Sequence, residues 1–256
     1  MNRPARIAYM AMIFVFLYLP IVVLVIYSFN SAKYGTAWSG ATLKWYWRML
    51  DNRLLIASMI NSLIVATASS VVATFIGTLA AVAFHRYRFF GRKVLYSMLY
   101  VVMLSPDIVM GISLLMFFIW IGMEPGFTTL MLSHITFCLP FVVVTIYARI
   151  SGFDPNIIEA AKDLGAGEFQ TFRHVILPMI WPAVLSGWLL SFTLSLDDVI
   201  VSFFVTGPTF EILPLRIYSM VRLGVKPEIN ALSTVLFAVT LVAVIVSQLL
   251  LKEKKS

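Results

Sequence analysis

The chain has 256 residues, 61% of them hydrophobic and only 12% charged, with a mean hydropathy of +0.94 and a formal net charge of +7. These figures exclude a soluble globular domain, because the apolar residues come in blocks of about 20, the length of a membrane-crossing helix. The basic residues cluster at the ends of those blocks, which argues against a nucleic-acid face and for membrane orientation, and the one cysteine, Cys138, offers neither a disulfide nor a thiolate metal site.

Arg3 and Arg6 precede the first apolar run, Ile7 to about Ile26. It is longer than a signal-peptide core and has no small-residue cleavage site, so it reads as a retained span. Residues 29–57 are mixed, with Gly35, Gly40 and the cluster Trp38, Trp45, Tyr46 and Trp47, the pattern of an interfacial helix with aromatics at headgroup depth. Ser58 to Phe84 is the second span. Its Ala66, Ser69, Ser70, Ala73, Gly77, Ala80 and Ala81 permit close helix approach and place it inside the bundle.

Arg86, Arg88, Arg92 and Lys93 then fix the following turn on the inner side. Val94 to about Ile121 is the third span, interrupted at Ser105-Pro106-Asp107. Thr128 to Ile150 is the fourth, with His134 and Pro140 inside it, Met179 to Phe204 the fifth, and Ala231 to Leu251 the sixth. The segment Thr206 to Asn230, with a helical stretch from Leu215 to Leu223, is external, either a cap or a re-entrant element. Six spans put both termini inside. Only Lys33, Lys44, Arg48, Arg53, Arg216, Arg222 and Lys226 of the 19 basic residues then fall outside, and the terminal Lys252, Lys254 and Lys255 fall inside, as the positive-inside bias requires.

Between the fourth and fifth spans lies a polar, helix-coded segment. Asp154 is placed to cap a helix whose first position is Pro155, and Ile157, Ala161 and Leu164 recur at i, i+4, i+7. Gly165 can end that helix in the left-handed conformation. Phe169, Phe172 and Ile176 mark the apolar face of a second short helix, and Pro178 opens the next span.

Glu159-Ala160-Ala161, Gly165 and the later Ile176-x-Pro178 resemble the EAA loop of bacterial ABC importer permeases. The resemblance implies a coupling loop over residues 151–178, within one permease domain spanning 1–256. Glu159, Ala160, Ala161 and Gly165 would transmit motion from an ATPase. Glu168, on the second helix, either meets the ATPase or is solvated.

No Gly-x-x-x-x-Gly-Lys-Ser/Thr loop occurs, so any ATP is bound by a partner. A His-Glu-x-x-His zinc helix and a Gly-x-Ser-x-Gly elbow are absent too, which disfavours a membrane enzyme. Acidic residues inside the apolar spans stand out instead. Asp107, Asp197 and Asp198 sit at depths where an unpaired carboxylate costs at least about 2.5 kcal/mol, so such residues usually face a cavity. Ser191, Ser195 and Asp198 follow one another at i, i+4, i+7 as a polar stripe. With no basic residue at that depth, the acids make a cation-attracting path that suits a linear polyamine, aromatics such as Trp45 adding cation–π attraction. The same acids can instead pair with helix N-termini, hydroxyls or a second subunit.

Ser105-Pro106-Asp107, Ser133 to Cys138, Leu190 to Asp198 and Pro227 to Leu232 resemble the spermidine/putrescine ABC transporter permeases over nearly the whole chain. That resemblance implies an all-α membrane protein of six transmembrane helices with an ABC importer permease (MetI-like) fold in the bacterial inner membrane. It implies as partners a second, different permease subunit, an ATP-binding subunit dimer and an external polyamine-binding protein, with no cofactor in this chain and no nucleic acid. The substrate pathway would run past Asp107, Asp197, Asp198, Ser195 and Trp45. The competing readings are an ABC permease for another cationic solute and an ATP-independent cation channel or carrier.

Overall fold

A computed structural model describes residues 3–32, 37–154, 156–222 and 227–253, and among them all regular structure is helical. Gly35, Lys33, Pro155, Leu223, Lys226, Lys254 and Lys255 lie outside the described residues. The chain forms two compact units, Met1–Ala57 with Arg216–Ser256, and Ser58–Leu215.

In the first unit, α1 (Arg3–Ser28) packs along α12 (Pro227–Glu253), and α2 (Lys44–Asp51) packs on α12 as well. The loop before α2 is wound round Asn30. The Asn30 Oδ1 accepts from the backbone N–H of Ser39 at 2.9 Å and its Nδ2 donates to the Ala37 carbonyl at 2.8 Å. Trp45 donates its ring N–H to the Asn30 carbonyl at 2.7 Å and is 2% exposed. Trp38 and Trp47 stay exposed, as interfacial aromatics do.

The second unit is built on α3 (Arg53–Arg86), α6 (Phe127–Ile150) and α9 (Leu177–Asp197). α3 begins five residues before the apolar run does, because Asn52 caps it through its Oδ1 to the Leu55 N–H. Ala66, Ser69, Ser70, Ala73 and Ala81 are buried, as their size suggested. A Cβ on Gly77 would come within 2.7 Å of Val142, and one on Gly187 within 3.4 Å of the same side chain. Small residues on α3 and α9 thus clasp one valine of α6, which is how apolar helices associate without a hydrophobic driving force between them.

Two expected spans differ from a simple crossing. The third is two helices, α4 (Arg92–Leu104) and α5 (Asp107–Trp120), bent by 112° at Ser105-Pro106. Proline disfavours helical backbone in the residue before it, and Ser105 sits at φ −67°, ψ 136°. The fifth does not begin at Pro178: the helix is continuous from α8 (Glu168–Thr171) through a π turn at Phe172–Ile176 into α9. Pro178 lacks the N–H that would reach the His174 carbonyl, and the wider turn just ahead of it takes up the crowding. That span also stops early, at Asp197, and resumes as α10 (Ile200–Val205). The segment expected to be external holds α11 (Leu213–Arg222).

Among the described residues four helices are long and apolar enough to cross a membrane, and the bent α4–α5 pair makes a fifth candidate. Gly77→Val should force Val142 out of place at a cost of about 1–3 kcal/mol. Thermal unfolding of the purified protein in detergent should show the loss, while Leu79→Ala on the exposed face of α3 leaves the midpoint nearly unchanged.

Candidate functional site

The two helix breaks face one cleft of about 370 Å³. Ser105 and Asp107 line it from the α4–α5 bend, Thr193, Asp197 and Asp198 from the end of α9, and Phe137 and Phe141 from α6. The three acids marked by the sequence therefore meet in one place. No lysine or arginine lines the cleft, and neither Asp107 nor Asp197 forms an ion pair among the described residues. Both are exposed to it. Asp107 occupies the first turn of α5, where the helix dipole favours a carboxylate.

Asp198 is held differently. Its Oδ2 accepts from the Ser202 N–H at 2.8 Å and the Ser202 hydroxyl at 2.6 Å, and its Oδ1 from the Val201 N–H at 3.2 Å. The carboxylate thus caps α10, and pairing with a helix start and a hydroxyl answers much of the cost of keeping it at this depth.

Behind Asp198 lies a fully buried relay. His134 places Nε2 2.9 Å from the Ser202 hydroxyl and Nδ1 2.6 Å from that of Ser195, which in turn lies 3.1 Å from Ser69. Ser202 has one proton and gives it to Asp198, so its oxygen must accept from His134. That places a proton on Nε2, with Nδ1 facing the Ser195 hydroxyl. The chain of hydrogen bonds runs from Ser195 on α9 through His134 on α6 to Ser202 on α10 and ends at the carboxylate.

Ser195 is accordingly buried within this relay and does not line the cleft. Ser191 is buried beside it, its carbonyl 3.4 Å from the Cys138 sulfur. Trp45 belongs to the other unit, its ring stacked under Lys44 and Arg48 at 4.5 and 5.2 Å. Ser202 stands in no motif, Ser69 is read only as a small packing residue, and His134 enters only within the stretch Ser133 to Cys138 that carries the resemblance. The signal for His134 was its being ionisable inside an apolar span, and for Ser202 its position one helical turn beyond Asp198.

The loop after α6 is an elbow held by hydrogen bonds, ion pairs and packing. Asp154 Oδ1 accepts from the Asn156 N–H at 3.0 Å and starts α7 (Asn156–Asp163). Gly165, at φ +82°, ends it in the left-handed conformation, with the Gly165 N–H on the Lys162 carbonyl and the Ala166 N–H on the Ala161 carbonyl. These two bonds are the Schellman pair that closes a helix. Beneath, Phe153, Ile158 and Phe172 pack on the core formed by Ile146, Ile150, Ile176 and Ile180.

Glu168, exposed to solvent, binds residues of its own chain. It forms ion pairs with Arg86, at the end of α3, and with Lys162 at 3.3 Å, and accepts from the Tyr87 hydroxyl at 3.2 Å. Glu159 and Ala160 are exposed on α7 and Ala161 is half-buried. At the bend Leu164 is 90% exposed and Phe169 69% exposed, an apolar tip on an otherwise polar loop.

A membrane chain with an acid-lined cleft at two helix breaks and a braced elbow with an apolar tip is a transport subunit rather than an enzyme. The chain belongs to the family of binding-protein-dependent transport system inner membrane components, whose model matches residues 73–252. It is 55% identical to the spermidine/putrescine transport system permease protein PotC of Escherichia coli strain K12, over 99% of this chain and 96% of that one. The putrescine transport system permease protein PotI of the same organism is 42% identical over 99% of this chain and 93% of its own length. Among solved structures, that of a bacterial ABC transporter importing the acidic polysaccharide alginate shares the fold at a TM-score of 0.75 and 18% identity, covering 97% of this chain and 98% of the other. The protein is thus a multi-pass membrane component of an ABC transport system.

Ser202→Ala removes a donor to Asp198 and leaves His134 Nε2–H without its acceptor. It should lower stability by about 1–3 kcal/mol, read as an earlier thermal midpoint, whereas Thr193→Ala, whose hydroxyl only meets the Leu189 carbonyl of its own helix, should leave it within about 0.5 kcal/mol.

Proposed function

We propose that this chain is the membrane-spanning permease subunit of an ATP-driven importer of polyamines such as spermidine and putrescine. The observation that carries the reading is the convergence of Asp107, Asp197 and Asp198 on one cleft with no basic lining residue among the described ones. The similarity to polyamine permeases over the full chain supports it. A polyamine is a row of ammonium groups on an apolar chain. Carboxylates spaced round a cleft walled by Phe137, Phe141 and Met110 offer charge for the former and apolar or cation–π surface for the latter.

In this reading the chain crosses the membrane six times with both termini cytoplasmic, α4 and α5 together forming the third crossing and α12 the sixth. It works beside a second, different permease subunit, with a dimer of ATP-binding subunits and an external polyamine-binding protein. ATP is bound by those partners and this chain carries no cofactor.

The binding protein delivers a polyamine to the outer face. Closure of the ATPases on ATP pushes Leu164 and Phe169 at the elbow tip. Glu159, Ala160 and Ala161 form the docking helix, and Gly165 holds its turn. Glu168 clamps α7 to α3 through Lys162 and Arg86, so the push is transmitted to the bundle. The cleft then changes the side on which it opens, Asp107 and Asp197 guiding the ammonium groups and Asp198 tying the α9–α10 break to His134. An ATP-independent channel would have no use for the elbow.

The test is uptake of radiolabelled spermidine and putrescine in cells lacking this chain, with it returned on a plasmid. The intact chain should restore uptake, and Asp197→Asn at equal membrane abundance should cut it at least about tenfold, the loss of roughly one charge–charge contact of 1.4 kcal/mol. Restoration of neither polyamine's uptake would move the cargo to another cationic solute.

Gly165→Val places a β-branched residue in left-handed backbone, at about 1–2 kcal/mol, although its Cβ meets no other atom. Uptake should fall while the chain stays in the membrane and its thermal midpoint moves by only a few degrees. Normal uptake by this variant would overturn the role given to the elbow.

A further inference from the structure

A second cavity, about 760 Å³, opens beside the turn between α3 and α4, at the end of the bundle where Arg86 and Tyr87 meet Glu168 of the elbow. Arg88, Arg92 and Lys93 line it together with Phe89, Tyr96 and Tyr147, and no acidic residue among those described does. Glu168 answers the charge of Arg86, but Arg88 and Lys93 form no ion pair among the described residues, and Arg92 reaches only the Tyr147 hydroxyl, at 3.4 Å. The aromatic wall is fixed, Tyr96 lying 4.9 Å from Tyr147 and 5.7 Å from Phe84 between ring centres.

α4 starts in this cavity and buries none of its residues. Val94, Met98 and Val101 recur at i, i+4, i+7 and are 61%, 56% and 64% exposed, an apolar strip running about 10 Å away from the cations at 1.5 Å per residue. A soluble phosphate would use the cations and leave the strip idle. A molecule with an anionic head and apolar chains uses both.

We propose that the cavity binds the headgroup of an anionic phospholipid, its phosphate on Arg88, Arg92 and Lys93 and an acyl chain along Val94, Met98 and Val101. Orientation alone needs only positive charge at this turn. A lipid held here occupies a single stoichiometric site, independent of what the protein transports.

The test is native mass spectrometry of the full-length chain purified in detergent and titrated with dioleoyl-phosphatidylglycerol or dioleoyl-phosphatidylcholine. One phosphatidylglycerol should be retained in clear preference to phosphatidylcholine. R88Q/R92Q/K93Q should weaken retention about a hundredfold, three cations each worth roughly a factor of five. R88K/R92K should keep most of it, and K252Q/K254Q/K255Q, with the same loss of charge elsewhere, should keep all of it.

Absence of any preference in the unmodified chain would overturn the proposal without recourse to variants. Equal loss in the two triple variants would overturn it as diffuse charge attraction, and displacement of the lipid by millimolar glycerol 3-phosphate would reassign the cavity to a soluble phosphate. Unaltered retention by R88Q/R92Q/K93Q would overturn it too, leaving the face free for a protein partner.

Discussion

The structure turns on how a carboxylate is kept inside an apolar helix. Asp198 is tolerable because the backbone opens beside it: α9 stops at Asp197, α10 restarts at Ile200, and the freed N–H groups of Val201 and Ser202 turn onto the carboxylate. Hydrogen-bond donors that an unbroken helix would spend on its own carbonyls are spent on the charge. Ser202 and His134 then carry that attachment into the bundle, so the break is anchored to α6 and, through Ser195 and Ser69, to α3. Asp107 and Asp197 line the space so created and form no ion pair among the described residues.

The same economy governs the second break. Pro106 ends α4, Asp107 takes the first turn of α5, and the bend supplies the opposite side of the cleft. Neither break is a defect in a span. Each exposes backbone only where it borders a cavity, and each sets an acid at a helix start. The elbow follows a different rule, since it lies outside the apolar layer: its stiffness comes from a closed helix end at Gly165, an ion-pair clamp at Glu168 and a core of isoleucines beneath. Its exposed Leu164 and Phe169 are apolar surface that no described residue covers, which is what a docking tip requires.

Much of this was legible beforehand, for reasons that differ by element. Hydrophobic runs locate spans because a membrane demands them. Asp154, Gly165 and Pro106 locate helix ends because each acts on its own neighbours. The start of α3 at Arg53 was missed because a cap residue, Asn52, and not hydropathy, sets it. The continuity of the helix through Pro178 was missed because a π turn has no sequence signature. Ser195 reads as a pathway residue from its spacing with Asp198, yet helical spacing gives a face without naming its neighbour, and that face meets α6 and α3.

The sequence by itself determined the class: apolar blocks, the acids within them and the Glu159-Ala160-Ala161 loop depend only on local composition and order. It did not determine which acids meet. Asp107 and Asp198 are separated by a whole span, α6, and only the packing of α6 and α9 and the 112° bend bring them to one cleft. Nor did it determine that Glu168 closes on Arg86, or that His134 serves Asp198, because these pairings join residues far apart in the chain and their geometry exists only once the helices have packed.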